Sequence, residues 1–214
     1  MAVIVFDLDG TLIDSVPDIH SAINVALILE GVRPLTLPEA RGFIGHGIPN
    51  LVRCAREARD IPEEAQERLV AEMIRAYMEN PEPLTAPFPG VVEALEALQA
   101  QGHRLALCTN KAMAPTKLVL DQLDLARFFE VVIGGDSLPT RKPDPAMLHA
   151  TFEAMGARGL YVGDSEVDAA TAHAADAPFA LFTLGYRKAA PEELPHQIAF
   201  DDWSKFIALA AEHL

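Results

Sequence analysis

Cysteine is nearly missing from this chain: there are two in 214 residues, Cys54 and Cys108, and neither stands in a metal-ligand or redox spacing. That leaves no disulfide framework, and a reducing compartment with both thiols as packing residues is expected. Long apolar runs are missing too. No stretch reaches the roughly 18 consecutive apolar residues a membrane helix needs, and no basic segment of a signal peptide precedes Asp7. A cytoplasmic protein is the expectation. Positive charge is scarce, with 17 Lys and Arg against 31 Asp and Glu, a formal net charge of −14. Such a surface repels nucleic acid and anionic membrane. It repels phosphate as well, so an anion site here requires a local positive field from a metal, a lysine or helix N-termini.

What the chain does have begins at once. Val3 to Phe6 is short, apolar and mostly β-branched, and it stops at a carboxylate. It reads as a buried strand. In an open α/β sheet the carboxyl ends of the strands form the ligand crevice, so Asp7 and Asp9, two residues apart, can both turn into one site. As turn formers before Gly10 they would do nothing chemical.

The spacing of Ile19, Ile23, Ala26, Leu27 and Leu29 predicts a helix over 16–29, with Gly31 as its stop. Where a doubly wound sheet would supply a second strand, Pro38-Glu39-Ala40, Ile48 to Ala58 and Glu63 to Met78 are all helix-like. The proline-dense stretch from Pro81 to Gly90 reads as a semi-rigid linker. Beyond it, strands at 104–108, 131–133, 160–162 and 179–182 alternate with helices at 91–100, 113–123, 145–155 and 166–176, and the tail 202–214 reads as helical. This alternation predicts an α/β fold: a Rossmann-like parallel sheet core over 1–14 and 84–214, with an α-helical domain of residues 15–83 inserted after the first strand.

Each later strand end carries polar or small residues. Thr109-Asn110 follows one strand, and Thr109 could hydrogen-bond a phosphate oxygen or cap the next helix. Lys142 stands before Pro143, which holds it extended and free to reach across a site. Gly163-Asp164 ends another strand, with Asp168 four residues on, and acids at a helix start are also stabilised by its dipole.

Asp7-x-Asp9-Gly10-Thr11-Leu12, Thr109-Asn110, Lys142-Pro143 and Gly163-Asp164-x-x-x-Asp168, in this order, resemble the four motifs of the haloacid dehalogenase superfamily in its phosphatase branch. The resemblance implies a nucleophile at Asp7, a general acid and base at Asp9, phosphate contacts from Thr109 and Asn110, and charge neutralisation by Lys142. Asp164 would be a magnesium ligand with Asp7 and the Asp9 carbonyl, and Asp168 would support it. Dehalogenating members lack the second acid, so Asp9 favours phosphoryl transfer. The insertion is similar in placement to the C1 cap. Glu166, and Asp176 where relatives often carry glycine, depart from the pattern without removing a catalytic group.

Four carboxylates brought together at about 4 Å repel one another by roughly 4 kcal/mol per pair at an effective dielectric near 20. Such a cluster calls for a divalent cation, and hard oxygen ligands suit Mg²⁺. Asp9 is expected to be kept protonated by the negative charge around it. The insertion holds no lysine between Asp14 and Asn80, which disfavours Schiff-base relatives. Its glycine-broken segment 41–47 could place Arg41 or His46 against a small substrate, or simply connect helices. Asp14-Ser15-x-Pro17, the pattern Ile44-Gly45-x-Gly47-x-x-x-Leu51-Val52 and Thr183-Leu184-Gly185-Tyr186 are similar to bacterial phosphoglycolate phosphatases. That implies hydrolysis of 2-phosphoglycolate to glycolate, a small phosphorylated metabolite being the expected partner; the chain itself is expected to be a monomer or homodimer. Phosphatases of other sugar phosphates or pyrophosphate, a β-phosphoglucomutase-like phosphotransferase, and a non-catalytic phosphate-sensing module remain as alternatives.

Overall fold

In this computed structural model, which describes residues 2–80 and 83–211, the chain opens with strands β1 (Val3–Phe6) and β2 (Ile13–Asp14). It continues through helices α1 (Val16–Leu29), α2 (Leu37–Arg41), α3 (Ile48–Glu57) and α4 (Gln66–Met78), and returns as β3 (Ala86–Pro87), antiparallel to β2. Then follow α5 (Val91–Ala100), β4 (Arg104–Cys108), α6 (Met113–Gln122), β5 (Val131–Ile133), α7 (Ala146–Met155), β6 (Gly159–Gly163), α8 (Glu166–Ala174), β7 (Phe179–Phe182), β8 (Ile198–Phe200) and α9 (Trp203–Ala210). The chain divides into two units, Met1–Asp14 with Ala86–Leu214, and Ser15–Thr85.

The first unit is an all-parallel six-stranded sheet in the order β5-β4-β1-β6-β7-β8. Alternation along β1 feeds two cores. Ile4 and Phe6 pack on one face with Leu95 and Leu98 of α5, Val119 of α6 and the aromatic residues Trp203 and Phe206 of α9. Val3 and Val5 pack on the other with Met147 and Phe152 of α7 and Ala169 and Ala172 of α8. A strand buried on both faces must be apolar throughout, which is why β1 shows no alternation in sequence.

The second unit is helical around its own core, in which Ile23, Ala26 and Leu27 of α1 meet Leu69 and Met73 of α4 and Val52 of α3. Gly31 takes φ +74°, a left-handed stop just past α1. Thr36 and Glu39 form a capping box at the start of α2. Asp18, buried near the start of α1, accepts hydrogen bonds from Leu84 N (2.9 Å), Thr85 N (2.8 Å) and the Thr85 hydroxyl (2.5 Å), so the incoming helix is clasped to the outgoing chain.

Several details differ from the sequence reading. Strand β8 was not expected, nor was the β2–β3 ladder, whose two-residue strands are too short to carry a period. Strand β6 is longer than 160–162 because Gly159 belongs to it: a Cβ there would lie 1.9 Å from the Val3 carbonyl oxygen. Helix α8 ends at Ala174, and Asp176 takes φ +50°, the left-handed conformation that explains why glycine is expected at that place. Pro81 and Glu82 of the linker, and residues 212–214 of the tail, lie outside the described residues. No helix among the described residues is long and apolar enough to cross a membrane.

Candidate active site

Phe6, the last residue of β1, stands beside Leu107 of β4 and Val162 of β6. Asp7 N extends the ladder by one bond to Val162 O at 2.8 Å. The next step in each strand is therefore Asp7, Cys108-Thr109 and Gly163-Asp164, all at one sheet edge. Three carboxylates converge there: those of Asp7, Asp164 and Asp168 are buried and each offers an oxygen within 4.8 Å of the others.

Lys142 is set into this group. Its Nζ lies 2.8 Å from Asp7 Oδ1, 2.7 Å from Asp168 Oδ1 and 2.8 Å from the Tyr161 hydroxyl. Its backbone is held by Asn110, whose Oδ1 accepts Lys142 N–H and whose Nδ2 donates to Lys142 O, both at 3.0 Å. The peptide to Pro143 is cis. Asp168 is saturated: Oδ1 accepts from Lys142 and from the Tyr161 hydroxyl (2.8 Å), while Oδ2 accepts from the Ser165 hydroxyl (2.6 Å) and the amides of Ser165 (3.2 Å) and Asp164 (3.3 Å). The last three bonds arise because Ser165 and Asp168 are the capping box of α8.

Asp164 accepts from the Thr11 hydroxyl at 2.8 Å and from Tyr186 N at 2.6 Å. Two glycines let the chain close around it. A Cβ on Gly10 (φ +89°) would meet Asp164 Oδ2 at 2.5 Å, and one on Gly185 would meet the same atom at 2.3 Å and Gly10 O at 2.4 Å.

Burial pushes the Asp7 carboxyl up to about 7, with Lys142 offsetting part of the effect. Burial, then the charges of Asp168 and Asp7, raise Asp164 well above the carboxylate range. Burial would raise Asp168 too, but Lys142 and the hydrogen bonds around it outweigh that and lower it. Burial would likewise lower Lys142, yet Asp168 and Asp7 raise it instead. With all three ionised, the carboxylates outnumber the ammonium by two negative charges in a closed space, which, added to burial, is why Asp7 and Asp164 hold their protons so firmly. Asp7 Oδ1 is buried, and the Lys142 ammonium 2.8 Å away leaves it acceptor capacity for a cation. An excess of carboxylates over ammonium, hard oxygen donors and this acceptor capacity together fit a divalent hard cation such as Mg²⁺.

Comparison with known proteins decides the family. Residues 4–182 match the model of the haloacid dehalogenase-like hydrolases. The chain belongs to that family. It is 50% identical over 200 residues to a phosphoglycolate phosphatase of Cereibacter sphaeroides (strain ATCC 17029 / ATH 2.4.9), covering 92% of each chain. To the phosphoglycolate phosphatase of Pseudomonas syringae pv. tomato it is 39% identical over 213 residues, covering 95% of this chain and 78% of that one. The crystal structure of a predicted phosphoglycolate phosphatase from Haemophilus somnus 129pt superposes with a TM-score of 0.90 at 30% identity, over 98% of both chains.

Set among the haloacid dehalogenase-like hydrolases, the expected residues divide. Asp7, Lys142, Asp164 and Asp168 meet in one cluster. The Asp9 carboxylate does not join it. Its neighbour is the Lys111 ammonium, at 3.1 and 3.4 Å, which corrects the expectation that negative charge surrounds it. Thr109 is buried at the end of β4, its Oγ1 accepting Lys111 N at 3.2 Å. Asn110, expected on phosphate, turns its amide to the Lys142 backbone. Arg41 and His46 lie in the second unit, exposed, at the end of α2 and in the loop before α3. Glu166 anchors a loop, its Oε1 accepting Lys188 N (2.6 Å) and Ala189 N (2.5 Å). The sequence reading missed Lys111, Thr11, Tyr161 and Tyr186. Lys111 was findable, since it adjoins a strand-end motif in a chain poor in cations.

Proposed function

We propose that this chain is a Mg²⁺-dependent phosphomonoester hydrolase working through an aspartyl phosphate, with 2-phosphoglycolate as substrate. The observation that carries the reading is Asp7, buried against Lys142 in a cluster whose carboxylates outnumber its ammonium. The named activity of relatives at up to 50% identity supports the substrate.

Asp7 attacks phosphorus in line and the bond to the leaving oxygen breaks, while Asp9 gives that oxygen its proton. Asp9 then takes a proton from the water that attacks the aspartyl phosphate, which frees Asp7 and inorganic phosphate. Lys142 neutralises charge on Asp7 and on the transferring group, and the Thr109 hydroxyl donates to a phosphoryl oxygen. Mg²⁺, held by Asp7, the Asp9 carbonyl and Asp164, would supply the remaining positive charge. We read the second unit as the cap that selects the substrate, with Arg41 and His46 as its candidate contacts.

The test is phosphate release from a panel of small phosphomonoesters with and without Mg²⁺. Glycolate and phosphate should appear from 2-phosphoglycolate only with the metal, and Asp7→Asn should abolish turnover. Full activity in Asp7→Asn, or isomerisation of glucose 1-phosphate in place of phosphate release, would overturn the reading.

A further inference from the structure

Two ammonium groups stand at this sheet edge in different settings. Lys142 donates to Asp168 and to the Tyr161 hydroxyl and stands 2.8 Å from Asp7 Oδ1, so it sits among the carboxylates of the cluster. Lys111 instead faces both oxygens of Asp9, and its side chain is 5% exposed. Its backbone is fixed: Lys111 O accepts Gly135 N at 2.8 Å and the Thr116 hydroxyl at 3.3 Å. A Cβ on Gly135 would lie 2.1 Å from Asn110 O, so the two loops touch through bare backbone.

We infer that Lys111 is the specificity residue of this site, binding a carboxylate carried on the α-carbon of the leaving alcohol. The substrate class is then the phosphate esters of 2-hydroxy acids, and the inference rests on the phosphatase reading above. The geometry follows from Asp9. A carboxyl that protonates the leaving oxygen lies about 2.8 Å from it, and the Lys111 ammonium is 3.1 Å from the same carboxyl. In a 2-hydroxy acid the carboxylate sits on the carbon bonded to the leaving oxygen, so its own oxygens are about 3 Å from that atom. They come within reach of Lys111. In a molecule of net charge −14, a buried cation at that spot is what a doubly anionic substrate needs.

The experiment compares kcat/KM for 2-phosphoglycolate and ethyl phosphate, which lacks the carboxylate, in the wild type, Lys111→Met and Lys111→Arg. Wild type should prefer 2-phosphoglycolate, and Lys111→Met should reduce that preference about tenfold to hundredfold, mainly through KM, with partial recovery in Lys111→Arg. An equal loss on both esters, with the preference intact, overturns the inference and makes Lys111 a positioning residue for Asp9. Wild type using both esters equally overturns it while phosphatase activity stands. Wild type inactive on both overturns the phosphatase reading itself. If Lys111→Met turns over too slowly, ligand-induced thermal shifts in the Asp7→Asn background give the same comparison, and a surplus shift from 2-phosphoglycolate that survives Lys111→Met overturns the inference.

Discussion

Lys142 and Asp168 face each other at 2.7 Å with side chains 2% and 0% exposed, a closed ion pair at the centre of the site. Removing Asp168 takes a buried acceptor from Lys142 and from the Tyr161 and Ser165 hydroxyls, with Asp7 still beside the ammonium, and that is costlier than removing both partners. Asp168→Leu should cost about 3–5 kcal/mol in chemical denaturation. The double variant Lys142→Met with Asp168→Leu should be less destabilised than the sum of the single changes; simple additivity in the cycle would refute the pairing.

The metal should act on stability as well as on turnover. The three carboxylates meet only in the folded chain, so Mg²⁺ at a hundredfold over its Kd should stabilise the wild type by about 2.7 kcal/mol. Asp164→Asn should remove most of that gain. A melting temperature unmoved by Mg²⁺ in the wild type would count against the site.

The acidity of Asp7 gives this effect a pH dependence. Its carboxyl is at about 7 in the fold against 3.8 when free. A raised carboxyl adds stability in full below the free value and loses it as pH climbs through the folded value. Metal-free protein should therefore lose stability between about pH 4 and 7, by at most about 4 kcal/mol from this group. Asp164, raised by burial, acts in the same direction, whereas Asp168, lowered by Lys142 and its hydrogen bonds against the effect of burial, loses its contribution only at pH below the free carboxylate value. Urea unfolding across this range in chelator and in Mg²⁺ should give curves that diverge as pH rises, and parallel curves would reject the prediction.

Gly185 is required for its size. Its missing Cβ leaves the space that Asp164 and the Gly10 carbonyl occupy. Gly185→Ala should cost about 1–3 kcal/mol and weaken Mg²⁺-dependent activity. Gly31→Ala, where nothing lies within 4 Å, should cost about 1 kcal/mol through its positive φ and leave activity intact. Equal activity in the two variants would refute the distinction.

Tyr186 separates backbone from side chain. Its N–H serves Asp164, while its hydroxyl donates to Asp14 Oδ1 at 2.8 Å. Tyr186→Phe should lower stability by about 0.5–1.5 kcal/mol and leave the Mg²⁺-dependent thermal shift unchanged. A lost shift would mean that the hydroxyl, not the amide, supports Asp164.

What could be read from the residues alone follows the physics of each part. The meeting of Asp7 and Asp164 was legible because both directly follow strands, while Lys142, in the loop after β5, and Asp168, in the first turn of α8, were legible only through the order of the motifs. Strand β8 was not, since Ile198-Ala199-Phe200 is too brief to show a period, and its partner β7 lies 16 residues back along the chain. The contacts that Asn110 and Lys111 make were not legible, for one reason. Their partners, Lys142 and Asp9, become neighbours only once β4 is known to lie between β5 and β1.

The short ladder joining Ile13 to Pro87 and Asp14 to Ala86 has a consequence for how such proteins diversify. Residues 15–85, 71 in all (85 − 15 + 1), leave the sheet unit and rejoin it across a single pair of strands. Because closing a longer loop adds only about 0.6 kcal/mol per doubling of its length, the sheet is nearly indifferent to what is spliced between those joints. The joint is a ready-made graft point, where a different insertion could be exchanged while the carboxylates at the sheet edge stay in register.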